Sequence, residues 1–195
     1  MKYFIGVYDY TVILTYMSLF SAIYGILQAA AHNYTCSVFC LFLCGFFDAF
    51  DGAVARTKKN RTDDEKNFGI QLDSLCDVIA FGVLPAMIFY YMGVNGIAGI
   101  LLIFFYCNCA LIRLAFFNVL EIKRQKEEGG ITKYYRGLPV TSSAIIVPIV
   151  YGIMLFTPEK VDLFLLHIMP AIIGFLFVYD FKVKKINIAK IFHIG

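Results

Sequence analysis

Four aspartates interrupt an otherwise apolar chain, and their spacing suits them to chemistry. They fall in two runs, Asp48-Ala-Phe-Asp51-Gly52-Ala53-Val54-Ala55-Arg56 and Gly69-Ile-Gln-Leu-Asp73-Ser-Leu-Cys-Asp77. On a helix, residues three or four apart share a face. Asp48 and Asp51 would share one, and Gly69, Asp73 and Asp77 another. Ionisable groups inside apolar spans are unfavourable and mark function by default. Four carboxylates gathered in low dielectric need cations to stay charged. Oxygen donors with no histidine nearby favour Mg²⁺ or Mn²⁺ over zinc.

The elements that must position these groups are membrane helices. The chain has 195 residues, 60% hydrophobic and 16% charged, with a mean hydropathy of +0.74. Soluble domains carry about 25% charge, so a soluble domain is excluded in favour of an integral membrane protein. A span needs about 20 apolar residues, and six candidates emerge at 10–30, 34–55, 70–92, 95–119, 139–157 and 161–180. The reading is an all-α polytopic membrane protein, a single domain over 1–195 with no internal repeat. The N-terminus carries no small-residue cleavage site after a short apolar region, so no cleaved signal peptide is expected.

Of the 17 basic residues, all but Arg113 and Lys160 fall in the 56–68 loop, the 120–138 loop or the two termini. The positive-inside rule then makes both loops and both termini cytoplasmic. The aspartates, Arg113 and the Tyr134-Tyr135-Arg136-Gly137-Leu138-Pro139 segment all reach one depth, the cytoplasmic headgroup level. Transporter sites sit nearer the midplane. Headgroup depth suits a lipid substrate meeting a water-soluble one. The six cysteines complete no zinc motif. Cys36, Cys40 and Cys44 share a helix face and read as packing residues. His167 is too far along the sixth span to serve the aspartates as a base.

Gly52 and Ala55 leave a bare face beside the carboxylates, open to a flat group such as a nucleobase or ribose. Arg56 lies one turn further out, within reach of phosphate. Small residues also serve helix packing, and the flanking carboxylates favour the ligand. Asp48, Asp51, Gly52, Ala55, Arg56, Gly69, Asp73 and Asp77 match D-x-x-D-G-x-x-A-R…G-x-x-x-D-x-x-x-D at every fixed position. In this the chain resembles the CDP-alcohol phosphatidyltransferases. Its spacer, residues 57–68, is longer than is common there, and the added charged residues are expected to extend a loop. Leu72-Asp73-Ser74-Leu75-Cys76-Asp77, Tyr135-Arg136-Gly137-Leu138-Pro139 and Ile112-Arg113-Leu114-Ala115-Phe116-Phe117-Asn118 are similar to segments of the integral-membrane phosphatidylserine synthases. Phe116 departs from that pattern, standing where many members have a second arginine.

The resemblance implies transfer of a phosphatidyl group from CDP-diacylglycerol, or an archaeal ether analogue, to L-serine with release of CMP. It implies two divalent cations held by Asp48, Asp51, Asp73 and Asp77, with Asp77 also the general base. It implies a CDP site of Gly52, Ala55, Arg56 and Gly69, to which Thr15 is added from its place near the cytoplasmic end of the first span. It also implies a homodimer. A serine carboxylate asks for a cation, which makes Arg113 the first acceptor residue, then Arg136 with Tyr135. Thr141, Ser142 and Ser143 either touch substrate or bond across helices. No nucleic-acid partner is expected. Two alternatives stay open: a sibling enzyme using glycerol 3-phosphate, inositol phosphate or another alcohol, and a divalent-cation transporter or scaffold. In the second, Gly52, Ala55 and Arg56 have no evident purpose.

Overall fold

The computed structural model describes residues 6, 10–58, 62–126 and 134–184; their side chains are described except at Arg56 and in 121–126, 134–136, 159–163 and 182–184. Its helices are α1 (Ile13–Ala30), α2 (Tyr34–Thr57), α3 (Asp63–Asp77), α4 (Leu84–Met92), α5 (Gly96–Lys126), α6 (Ser143–Met154) and α7 (Glu159–Val178). Four stretches, Tyr10–Ala30, Tyr34–Ala55, Asp63–Met92 and Gly96–Leu120, are long and apolar enough to cross a membrane. Val140–Met154 and Phe164–Val178 are shorter apolar helices. Large apolar side chains such as Phe20, Ile97 and Phe104 project from the outside of the fold. Carried on helices, that exterior suits lipid, and the chain is an integral membrane protein.

The third helix starts earlier than its apolar run. Thr62 accepts from the Glu65 N–H, and the Glu65 carboxylate accepts from the Thr62 N–H, closing a capping box. Asp63, Asp64 and Glu65 then occupy the first turn, where the helix dipole favours negative charge. Most of the charged residues expected to extend a loop are therefore helical. Lys58 reaches across the loop, pairing with Glu65 at 3.1 Å.

Packing is close where side chains are small. α1 runs along α2, and α2 packs on α6. A Cβ on Gly25 would stand 2.9 Å from the Cys40 Cβ, and one on Gly45 would stand 2.6 Å from the Ala144 Cβ. Both lie under any real carbon contact, so these helices meet almost backbone to backbone. Cys40 and Cys44 are buried and unbridged, and the Cys44 thiol donates to the Ser18 carbonyl at 3.4 Å. The cysteine face is a packing face. On the other side of the molecule, α5 packs against α7.

A short ribbon joins two parts of the chain that the helical reading left as loop and tail. Strand β1 (Tyr134–Arg136) pairs antiparallel with β2 (Lys182–Lys184), with Tyr135 opposite Val183. Gly137 follows at φ +72°, a conformation in which glycine carries no steric penalty. Its N–H donates to the Phe181 carbonyl at 2.7 Å, and the Leu138 N–H donates to the Leu176 carbonyl at 3.2 Å. The chain entering α6 is thereby fastened to the end of α7.

Candidate functional site

The two aspartate-bearing helices come together as their spacing requires. One carboxylate oxygen each from Asp48, Asp73 and Asp77 lies within 4.8 Å of the others. Asp48 and Asp73 are half-buried, and Asp77, one turn deeper along α3, is buried. Asp51 stands aside from this trio, yet its side chain is in hydrogen-bonding contact with Asp73. Two carboxyl groups in contact must share a proton or a cation. The donors are all hard oxygen atoms, the set suited to Mg²⁺ or Mn²⁺. A divalent cation therefore fits these residues.

Two cavities meet at Asp73. The larger, about 490 Å³, has Asp48, Asp73 and Asp77 facing Arg113, Asn118 and Thr141. The smaller, about 150 Å³, is lined by Asp51, Gly52 and Ala55 of α2, Gly69 of α3, and Thr11 and Thr15 of the first span. Asp73 lines both. The expected ligands thus divide: Asp48 and Asp77 belong to the larger chamber, and Asp51 to the smaller.

The threonines enter from the first span. Thr15 is buried and lines the glycine-bearing slot. Thr11 was missed, although it precedes Thr15 by four residues and so shares its face. The Tyr10 hydroxyl lies 3.1 Å from the Thr57 hydroxyl and holds this end of the first span to the end of α2.

Arg113 is 6% exposed and lines the larger chamber across from the aspartates. Part of its guanidinium is already committed. Nε donates to the Leu138 carbonyl at 3.1 Å and an Nη to the Gly137 carbonyl at 3.5 Å. The group also sits 5.8 Å above the Phe117 ring. Arg113 therefore holds the turn into α6 as well as facing the chamber. Ser74 and Asn118, noticed in the sequence only as parts of similar segments, meet here: the Ser74 hydroxyl donates to Asn118 Oδ1 at 2.8 Å. Of the three hydroxyls near α6, Thr141 lines the chamber. Ser142 bonds to the Pro139 carbonyl within its own turn. Ser143 lies 3.5 Å from the Phe81 carbonyl of another helix. His167 lies in α7 and lines neither cavity. The side chains of Arg56, Tyr135 and Arg136 lie outside those described.

Fold and site together define a helical membrane protein with a carboxylate cluster between a small-residue slot and a larger chamber. Residues 10–182 match the family described as CDP-alcohol phosphatidyltransferase. The chain belongs to that family. It is 30% identical over 171 residues to a CDP-diacylglycerol–serine O-phosphatidyltransferase of Methanocaldococcus jannaschii, covering 87% of this chain and 72% of that protein. It is 34% identical over 147 residues to the Saccharomyces cerevisiae protein of the same name, covering 71% of this chain and 52% of the yeast protein. It is also 34% identical over 141 residues to an archaetidylserine synthase of Methanothermobacter thermautotrophicus, covering 70% of this chain and 52% of that one. The chain spans about half the length of the last two relatives. No solved structure matches it.

Proposed function

We propose that this chain transfers the phosphatidyl group of CDP-diacylglycerol, or of its archaeal ether counterpart, to L-serine, releasing CMP. The observation that carries the reading is Asp73 lining both cavities; on this reading the smaller takes the nucleotide and the larger the acceptor. The names of the relatives support serine as acceptor. The test is CMP release from CDP-diacylglycerol with serine, glycerol 3-phosphate, inositol phosphate and simple alcohols in parallel. Turnover with serine alone supports the reading. Turnover only with another alcohol replaces the acceptor and keeps the family chemistry.

Gly52, Ala55 and Gly69 leave room for the cytidine, Thr11 and Thr15 face it, and the family resemblance assigns Arg56 to its phosphates. Asp48, Asp51, Asp73 and Asp77 would hold two divalent cations, Mg²⁺ or Mn²⁺, which would offset the charge of the pyrophosphate. Asp77 takes the proton of the serine hydroxyl as its oxygen forms a bond to the phosphatidyl phosphorus. The bond from that phosphorus to the CMP oxygen breaks, and CMP leaves. Arg113 receives the serine carboxylate, with Arg136 and Tyr135 carried over from the family resemblance as further acceptor residues.

Arg113→Ala is expected to lower kcat/KM for serine at least tenfold, about 1.4 kcal/mol, with a smaller change for CDP-diacylglycerol. Arg113→Lys keeps the charge but not the planar fork that spans Gly137 and Leu138, and should recover only part of the loss. A loss confined to CDP-diacylglycerol would make Arg113 a phosphate ligand instead.

The protein is proposed to sit in the cell membrane as six spans, with the site and both termini on the cytoplasmic side, and to work as a homodimer. In a cysteine-free background, single cysteines at Asp64 and Lys126 should resist an impermeant thiol reagent in intact cells and react after lysis. Labelling before lysis would reverse the orientation.

A further inference from the structure

The helix carrying Asp73 and Asp77 does not continue regularly into the membrane. Residues Val78–Val83 form a π-helical segment directly after Asp77. Its cause is legible. Pro85 lies four residues beyond Phe81, has no N–H to give, and its ring crowds the carbonyl four residues back. The Phe81 carbonyl thus loses its α-helical donor, and the Leu84 N–H bonds five residues back, to Ile79. Such wide turns recur at functional sites, and a carbonyl left unpaired in an apolar interior is strongly disfavoured.

Two side-chain hydroxyls reach the released carbonyl, and Tyr106 is the nearer. The Tyr106 hydroxyl on α5 donates to the Phe81 carbonyl at 2.9 Å. Ser143 does not compete well for it: its one hydroxyl proton has the Val140 carbonyl at 2.9 Å against 3.5 Å to Phe81. The next residue on α5 adds a weaker hold, the Cys107 thiol lying 3.7 Å from the Gly82 carbonyl. Tyr106 is fully buried, its ring packed on Phe89 and Phe177 at centroid distances of 6.2 and 5.6 Å. Packing therefore fixes where the hydroxyl points, and the hydroxyl fixes the wide turn.

We infer that Tyr106 is a positioning residue for the carboxylate site, its hydroxyl holding the Pro85-released carbonyl of Phe81 and so setting the register at which Asp77 is presented. The leverage is short. Phe81 is one turn, about 6 Å along the axis, from Asp77. One residue more or less in that turn rotates all that follows by about 100° relative to what precedes it. Asp77 must face the chamber while Phe81, Leu84 and Ile88 stay in the core, and the wide turn reconciles the two. The inference rests on the proposed metal site for its Mn²⁺ arm and on the proposed transfer for its activity arm.

The experiment uses the full chain in detergent, with Mn²⁺ affinity read by electron paramagnetic resonance and transfer kinetics measured alongside. Tyr106→Phe keeps the ring and removes the donor. It is expected to weaken Mn²⁺ binding at least threefold and to lower kcat at least fivefold, with the KM for CDP-diacylglycerol within twofold of wild type. Pro85→Ala supplies the missing N–H, so adding Tyr106→Phe to it should change Mn²⁺ affinity less than twofold. Should Tyr106→Phe alone not fold, the double variant should fold and match Pro85→Ala. Mn²⁺ affinity and kcat both unchanged in Tyr106→Phe would overturn the inference. So would an equal loss with and without Pro85, since Tyr106 would then act by packing. A wild type that binds Mn²⁺ but transfers to another alcohol overturns the serine acceptor alone, and the Tyr106 comparison then stands on Mn²⁺. A wild type that binds no Mn²⁺ overturns both.

Discussion

Asp73→Asn is expected to remove nearly all transfer, more than 10³-fold or over 4 kcal/mol of transition-state stabilisation, in a protein that still inserts and folds. The amide keeps the shape of the carboxylate and loses its charge. At Asp73 that charge serves two places at once, since the side chain touches Asp51 on the slot side and approaches Asp48 and Asp77 on the chamber side. Asp48→Asn and Asp51→Asn should each cost about as much if the four carboxylates act as one unit, because effects within such a unit do not add. The check is CMP release at saturating Mg²⁺ or Mn²⁺, with thermal stability followed on the same preparations. Removing a charge from a crowded acidic cluster relieves repulsion, so the variants should be at least as stable as wild type. Activity within twofold of wild type would end the carboxylate-cluster account of the site.

Much of this site was legible because its chemistry is written at helical period. Three- and four-residue steps of aspartate and glycine place side chains on a face without any knowledge of the fold. They correctly brought Asp48, Asp73 and Asp77 together and set Gly52, Ala55 and Gly69 around one slot. What periodicity does not carry is the pairing of one helix face with another. Hence spacing alone did not show that Asp51 lines the slot while Asp48 and Asp77 line the chamber. Ser74 and Asn118 were seen as sequence likeness and prove to be bonded to each other. The start of α3 was missed for another reason: an apolar window ignores a charged first turn, whereas the Thr62–Glu65 capping box marks it. The β1–β2 ribbon was missed because three-residue strands leave no pattern to detect. Its Gly137 turn is held by contacts from α5 and α7 that are distant in sequence.

Arg113 shows the same limit in one side chain. Its presence in an apolar span marked it as functional, and it does face the aspartates across the chamber. Its bonds to the Leu138 and Gly137 carbonyls could not be anticipated from spacing. They give it a second task, that of holding the chamber wall formed by Pro139, Val140 and Thr141. Substitutions there will mix recognition with wall position, which is why the lysine variant is needed beside the alanine one.

Gly52→Leu offers a cleaner separation of binding from fold. Gly52 lies on α2 beside Asp51 and lines the slot of about 150 Å³. A leucine there adds four carbons to a space that Thr11 and Thr15 of the first span also line. Glycine within a helix is less favourable than leucine by somewhat under 1 kcal/mol, so on helix propensity alone the substitution should stabilise α2. The opposite expectation holds for the ligand. A flat nucleotide that needs the bare backbone face loses its seat, and CDP affinity should fall at least a hundredfold, about 2.7 kcal/mol. Titration calorimetry with CDP in the presence of Mg²⁺, on detergent-purified protein of unchanged melting temperature, reads both effects on one sample. Unchanged affinity would return Gly52 to the role of a helix-packing residue and move the nucleotide out of this slot. Loss of fold together with binding would point the same way, because a residue facing an open slot has room to grow and one facing a neighbouring helix does not.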